Sequence, residues 1–446
     1  MASEKRTFTM KRLPPNFPII WKGETGYEKA RIGRVFNFRR PERYPVAVIE
    51  ATTEDHIVEA VRLANGIGCR VSVRSGGHSW AVWSVRDEAI LVDLGRYHEF
   101  SFDEKTGIAK VSPSTTGRMT NKLLEAYGSD GRKLHCDKKE NSDLYWAARG
   151  AGPGFPAIVT RFYLQTMPRF SHMRSSAYIY KKEDYRKALE WILGITSTYD
   201  EGTEIVAVAS YPPGRSEIHV MVLLVTFKNS EKEARAALQA AEDSAPPGYV
   251  DTWFCKETSL SKEYDDQHAA NPMAHRYCVD NCYVRNDADV VSVLEDAFTT
   301  LPSRKSFSLW YSMAPCSRRS AEKGTMDDMA LSMQSDHYFA AYTVWEDEAD
   351  DSRCKGWVKE ICKKVERFSE GSYLGDADFQ VRRTMFWETG QGRKLMKIRR
   401  DWDPNGRIAG YLDDRDKSGT EGLANVHEWK NSETEPRTSN GDSKLS

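Results

Sequence analysis

Between residues 46 and 80 the hydrophobic pattern changes period twice, and few folds accept such a pattern. Residues 46–51, VAVIEA, form a short apolar run rich in β-branched side chains, as expected of a strand. Thr52 and Thr53 follow as helix caps, and Ile57, Val58, Val61 and Ala64 then recur at helical spacing until Gly66 and Gly68 end the helix. The chain re-enters a strand at residues 70–74 and breaks on two glycines and a histidine in VSVRSGGHSW. A βαβ-like unit is therefore predicted, with strands at 89–94 and 108–112 continuing an α/β layer. Two glycines at a strand end allow a sharp turn or a close backbone approach.

A second glycine turn lies in YWAARGAGPGFPAIVTRFYLQT. There Gly150, Gly152 and Gly154, with Pro153 and Pro156, precede a predicted strand over 157–166. A helix is expected from Met119 to Tyr127. From about Ser171 to Leu374 strands alternate with longer amphipathic helices: strands at 205–210, 218–227, 307–313 and 338–345, and a helix over 231–243. That alternation suits a separate α+β domain with an antiparallel sheet. The run IHVMVLLVTF at 218–227 has half the length of a membrane helix and is expected to be a buried strand. Trp310, Tyr311, Tyr338, Phe339, Tyr342 and Trp345 are either a sheet face packed on helices or a stacking wall for a flat ligand. A further helix is expected over 354–368, and the polar residues 428–446 are expected to be a disordered tail.

Lysine plus arginine (64) nearly cancel aspartate plus glutamate (65), so no basic field exists to gather nucleic acid or an anionic membrane. A small-molecule enzyme fits better, and its 446 residues suggest two domains. The N-terminus, MASEKRTFTMKRLPPNF, lacks the apolar segment of a secretion signal, which predicts a cytoplasmic protein. Eight scattered cysteines lack the spacing of a disulfide framework. His275, Cys278 and Cys282 offer three soft ligands with no second cluster beside them, so no metal is expected.

A glycine turn at a strand end aims several backbone N–H groups at one spot and so makes a concavity for anionic oxygens such as a pyrophosphate. Ser75, Gly76, Gly77, His78 and Ser79 suit that role, whereas the nicotinamide-type G-x-G-x-x-G fingerprint is absent.

The succession RYPVAVIEATTEDHIVEAVRLANGIGCRVSVRSGGHSW, ILVDL, VSPS and NSDLYWAARGAGPGFPAIVTRFYLQT closely resembles FAD-linked oxidases with a vanillyl-alcohol-oxidase (PCMH)-type flavin domain. Among these it resembles the berberine-bridge-enzyme-like branch, and the resemblance spans most of the chain. It implies an α+β, two-domain architecture: a flavin domain formed by N- and C-terminal parts, and a substrate domain with an antiparallel sheet covered by helices. The expected division is an N-terminal extension at 1–30, the flavin domain at 31–170, the substrate domain at 171–372, a returning C-terminal segment at 373–427 and the tail at 428–446.

By the same resemblance FAD is the cofactor and His78 its covalent anchor. Arg74, Ser75, Gly76, Gly77 and Ser79 are its loop neighbours, and Gly150, Gly152, Gly154, Ile158 and Val159 stand in the later flavin segment. A histidyl bond raises the flavin's reduction potential and favours hydride removal. FWETGQGRKLMKIRRDWDPNGRI matches the family's closing motif. Tyr373 and Asp376 stand where the family carries its Y-x-N stretch, so either could take the substrate's hydroxyl proton, or Asp376 could instead cap a turn.

Several dozen family residues are missing between Tyr127 and Ser129, among them a very glycine-rich strand-turn. Cys136 falls after that gap and is not carried over as a second anchor. Two functions follow: an oxidase taking hydride from an alcohol, sugar or secondary metabolite and passing electrons to oxygen, or a flavin-poor form acting as a binding or regulatory protein.

Overall fold

A computed structural model describes residues 13–87, 89–119, 137–314, 328–382 and 384–410. The predicted change of period is present. Strand β2 (Ala47–Glu50) leads into helix α2 (Glu54–Ile67) and back to β3 (Arg70–Arg74), after β1 (Ile19–Trp21) and α1 (Tyr27–Ile32). The Thr53 side chain caps α2 by accepting from the His56 N–H, and Gly68 ends it in the left-handed region at φ 76°. Strand β4 (Ala89–Asp93) lies between β2 and β3, parallel to both, while β1 joins antiparallel at the edge. Every residue of AILVD in β4 is buried, as a parallel strand covered on both faces requires.

A small antiparallel sheet follows, β5 (Phe100–Asp103), β6 (Ile108–Val111) and β7 (Phe162–Gln165). Strand β7 is shorter than the expected 157–166. A 3-10 turn occupies Gly152–Gly154, and Arg161 is drawn to Glu99 (Nε–Oε2 3.0 Å) and Glu54 (3.7 Å) before pairing begins. Helix α3 (Ser142–Ala148) precedes that turn, whereas the expected helix at 119–127 falls almost wholly on residues outside the described ones.

The middle of the chain builds one eight-stranded sheet in which every neighbouring pair is antiparallel. Its strands are β8 (His172–Lys181), β9 (Thr203–Ser210), β10 (His219–Lys228), β11 (Asp251–Glu257), β12 (Arg276–Val284), β13 (Phe307–Ser312), β14 (His337–Trp345) and β15 (Ser369–Gly371). Their spatial order is β11-β8-β10-β9-β13-β14-β12-β15. Helices α4 (Tyr185–Ile195), α5 (Glu231–Ser244), α7 (Val290–Thr299) and α8 (Asp351–Glu366) cover one face, while α6 (Leu260–Ala270) buries none of its residues. Leu189, Leu238, Phe298 and Val365 from the covering helices meet Val222, Ala207, Trp310 and Phe339 from the sheet.

Side chains alternate across a strand, and this divides the aromatic cluster. Trp310 and Phe339 enter the helix-covered core, and Trp345 packs with Cys278, Cys354 and Val358. Tyr311, Tyr338 and Tyr342 face the other way, with Val206, Tyr283 and Leu309. HRYCVDNC proves to be most of β12, buried along nearly its whole length. Burial pushes the Cys282 thiol up to about 12 and Cys278 well above the usual thiol range. Among the described residues no group of His, Cys, Asp and Glu is arranged to hold a metal ion, and no helix is long and apolar enough to cross a membrane.

The C-terminal part returns to the first sheet. The Val71 N–H donates to the Arg407 carbonyl and the Ala409 N–H to the Val71 carbonyl, both at 2.8 Å, so 407–409 runs beside the edge strand β3. Helix α9 (Thr389–Trp402) contributes Leu395 and Ile398 to a core shared with Ala81, Trp83, Trp146 and Leu374. The tail at 428–446 lies outside the described residues.

Candidate active site

The site begins where β3 ends. Arg74, 2% exposed, donates to Asp93 (Nε 3.0 Å, Nη2 2.5 Å) and to the carbonyls of Arg31 (2.5 Å) and Ala30 (2.6 Å). Asp93 also accepts from Arg34 Nη1 and from the Gly95 N–H at 2.8 Å. Arg74 is thus committed to holding the strand end from beneath. Gly77 has φ 78°, and a Cβ there would lie 1.8 Å from the Arg34 carbonyl oxygen. The same glycine accepts from the Phe36 N–H at 3.0 Å. Only glycine combines that conformation with that approach.

The main-chain N–H groups of Ser75, Gly76, Gly77, His78 and Ser79 make no hydrogen bond to any described residue. Gly76 and His78 are exposed. Five successive free donors on an accessible turn are the arrangement that receives an anionic group. The His78 imidazole stands edge-on to Phe36 at 5.8 Å. Loss of hydration and the nearby Arg34 charge hold its pKa below the ordinary histidine range, so near neutral pH the ring carries a free lone pair. Free amides plus a neutral imidazole fit a flavin dinucleotide and a histidyl tether.

Asn37, fully buried, ties this loop to the large sheet: its Nδ2 donates to the carbonyls of Trp80 (2.7 Å) and Tyr277 (3.0 Å), and its Oδ1 accepts from the Tyr277 N–H (3.0 Å). Two residues beyond His78, the Trp80 indole donates to Asp376 Oδ1 at 3.0 Å. Asp376 Oδ2 accepts from the Tyr338 hydroxyl at 2.8 Å and from the Tyr342 hydroxyl. Tyr342 stacks on Phe307 at 4.4 Å and meets Trp80 edge-on at 6.0 Å. Burial raises the Asp376 pKa above the usual carboxylate range, and its three hydrogen bonds offset part of that rise. The result is a desolvated carboxylate, a stronger base than an exposed one, placed between the glycine loop and the tyrosine face.

Tyr373 is 41% exposed, and burial followed by the Asp376 charge raises its pKa. Its backbone is pinned to Asn281 by hydrogen bonds of 2.7 and 2.8 Å. The later glycines meet protein: a Cβ at Gly150 would lie 2.1 Å from the Leu331 nitrogen, and one at Gly152 would lie 2.7 Å from Leu374 Cδ2. The Gly154 carbonyl accepts from Arg399 at 2.5 Å, and the Gly150 carbonyl from the Trp387 indole at 3.0 Å. Ile158 packs, partly buried, against the core of the first sheet, and Val159 beside it is also partly buried. The junction near residue 128 and Cys136 lie outside the described residues.

Sequence reasoning missed Asn37, Trp80 and Asp93 as site residues. Trp80 stands inside the quoted motif but carried no signal of its own. Period-two alternation in HYFAAYTVW would have placed Tyr338 and Tyr342 on one face.

Comparison with known proteins agrees with this geometry. An "FAD binding domain" family model matches residues 45–132. The FAD-linked oxidoreductase nodO of Hypoxylon pulicicidum is 31% identical over 441 residues, covering 89% of this chain and 97% of the relative. A carbohydrate oxidase of Microdochium nivale is 23% identical over 465 residues, covering 88% and 91%. Among solved structures, Physcomitrella patens BBE-like 1 superposes with a TM-score of 0.73 at 15% identity, covering 92% of this chain and 98% of that one. The chain therefore belongs to the FAD-linked oxidoreductases, with the PCMH-type flavin fold of the berberine-bridge-enzyme-like branch and FAD as its cofactor.

Proposed function

We propose that the chain is an oxidase acting on a small molecule bearing an alcohol group, drawn from the alcohols, sugars or secondary metabolites, with oxygen as the final electron acceptor. FAD, when bound, supplies the hydride acceptor. The Ser75–Ser79 amides hold its anionic linkage and His78 tethers it. Arg74, Gly150, Gly152, Gly154, Ile158 and Val159 shape the walls behind that loop. Asp376 receives the hydroxyl proton of the substrate, and the accessible Tyr373 hydroxyl orients that substrate. The shortened segment near residue 128 leaves a single tether, through His78.

One observation carries this reading: the Asp376 carboxylate joins the cofactor loop, through Trp80, to the sheet, through Tyr338 and Tyr342. The oxidase activity of the Microdochium nivale relative supports it. The flavin-poor binding protein is not favoured, because the relatives matched over nearly their whole length are named FAD-linked oxidoreductases.

Anaerobic mixing of the holoprotein with a panel of primary alcohols, secondary alcohols and mono- and oligosaccharides tests the proposal through bleaching of the flavin. Asp376→Asn should retain its flavin and bleach slower by roughly 10²- to 10⁴-fold. Equal rates in the variant and the wild type would overturn the assignment.

A further inference from the structure

Two tyrosines of β14 meet one carboxylate, and the register of the large sheet makes the room for it. Tyr338, Ala340 and Tyr342 share a face of β14, and opposite them on β12 stand Tyr283, Asn281 and Val279. The Tyr283 and Tyr338 rings meet at 5.3 Å on that face. Ala340 puts only a methyl between the two β14 rings, and Asp376 bridges their hydroxyls across it. Directly opposite that methyl, in a row that is otherwise aliphatic and aromatic, lies the fully buried amide of Asn281.

Every arm of this amide is spent on the loop that carries Tyr373 and Asp376. Its Oδ1 accepts from the Tyr373 N–H at 2.7 Å, and its Nδ2 donates to the carbonyls of Tyr373 and Asp376, both at 2.8 Å. The two ends of the loop are held by other groups. The Ser372 hydroxyl donates to the main-chain carbonyl of Asn281 at 2.7 Å, and the Asp378 N–H donates to the Val279 carbonyl at 2.6 Å. Arg382, paired with Asp280 (Nε–Oδ2 2.6 Å), reaches the same Asn281 carbonyl at 2.8 Å. Between those ends runs a single 3-10 turn, Leu374–Asp376, too short to fix its own orientation.

We propose that Asn281 is a positioning residue of the active site, setting where Asp376 and Tyr373 stand relative to the substrate. This rests on the reading of Asp376 as proton acceptor and of Tyr373 as the group that orients the substrate. The amide touches the main chain of both residues and neither side chain, so it governs their placement. Burying an amide is costly unless its hydrogen bonds are made, and here all three go to one loop. A reacting group displaced by about 1 Å can lose as much as about 100-fold in rate.

The test compares Asn281→Ala with the wild-type holoprotein in anaerobic bleaching, using whichever compound of the alcohol and sugar panel bleaches the wild type fastest. The limiting rate should fall by about 10- to 100-fold. Flavin content and visible spectrum should not change, because the Ser75–Ser79 turn and both ends of the loop make no use of the amide. The solvent isotope effect on bleaching should grow, since a displaced acceptor makes proton transfer the slow step; a smaller active fraction would leave it unchanged. In an Asp376→Asn background the same substitution should cost no more than about twofold, because no acceptor is left to misplace. Asn281→Leu removes the same three bonds while filling the space, so a fold lost to the cavity in Asn281→Ala does not stop the test. Wild-type limiting rates in a folded Asn281 variant, or an equal loss in both backgrounds, would overturn the positioning role. Wild-type bleaching in Asp376→Asn would instead sink the reading of Asp376, and a panel that bleaches nothing would sink the proposed function; the inference falls with either.

Discussion

Replacing Gly77 with alanine tests whether the cofactor loop is shaped by one backbone contact. The residue sits at φ 78°, where an alanine costs about 1–2 kcal/mol relative to glycine. The added methyl would fall 1.8 Å from the Arg34 carbonyl oxygen and 3.0 Å from its carbon, so backbone has to move. The first bond to stretch is the one from the Phe36 N–H to the Gly77 carbonyl, 3.0 Å long, which contributes about 0.5–1.5 kcal/mol. Together the two effects come to about 1.5–3.5 kcal/mol. Urea unfolding should show that loss as a lower midpoint at unchanged slope. Gly194, exposed near the end of α4 with nothing within 4 Å of an added Cβ, is the control. Gly194→Ala should be neutral or stabilise by up to about 1 kcal/mol. A Gly77→Ala midpoint matching the wild type would refute the argument.

Other perturbations follow from the same contacts. Asp93→Asn leaves the buried Arg74 guanidinium without its counter-charge and should cost about 3–5 kcal/mol in urea unfolding; a loss below about 1 kcal/mol would show that the carbonyls of Ala30 and Arg31 suffice. Asp376 has to be ionised to accept a proton, and its pKa is raised, so the anaerobic bleaching rate should be full above that pKa and fall as pH drops through it. Trp80→Phe removes the indole donor at 3.0 Å, which raises the Asp376 pKa further and moves that acid limb to higher pH; a limb that stays put or moves down contradicts the assignment.

Local pattern carried the sequence reading furthest where the period was clean. The β2-α2-β3 unit, its Thr53 and Gly68 caps and the long strands β10 and β14 all follow from spacing alone. Strands β8 and β12 escaped because HMRSSAYIYK and RYCVDNCYV mix polar and apolar residues without alternation, and only the pairing of each with a neighbour on both sides explains the burial of Ser176 and Asn281. The glycine loop was legible as a turn, whereas the reason for Gly77 was not, because its close neighbour is the distant Arg34 backbone. Asp376 was legible only through family resemblance. Its chemistry depends on Trp80, Tyr338 and Tyr342, which the fold brings together from far apart in the chain.

The central claim is that the Ser75–Ser79 turn receives the flavin and His78 anchors it. Intact-mass measurement of the denatured protein, followed by mapping of the flavin-bearing peptide, tests this most directly. The account predicts one FAD added to the chain, located on the peptide that contains His78 and lost in His78→Ala. An unmodified chain with free FAD in the supernatant, or flavin on a peptide lacking His78, would contradict it.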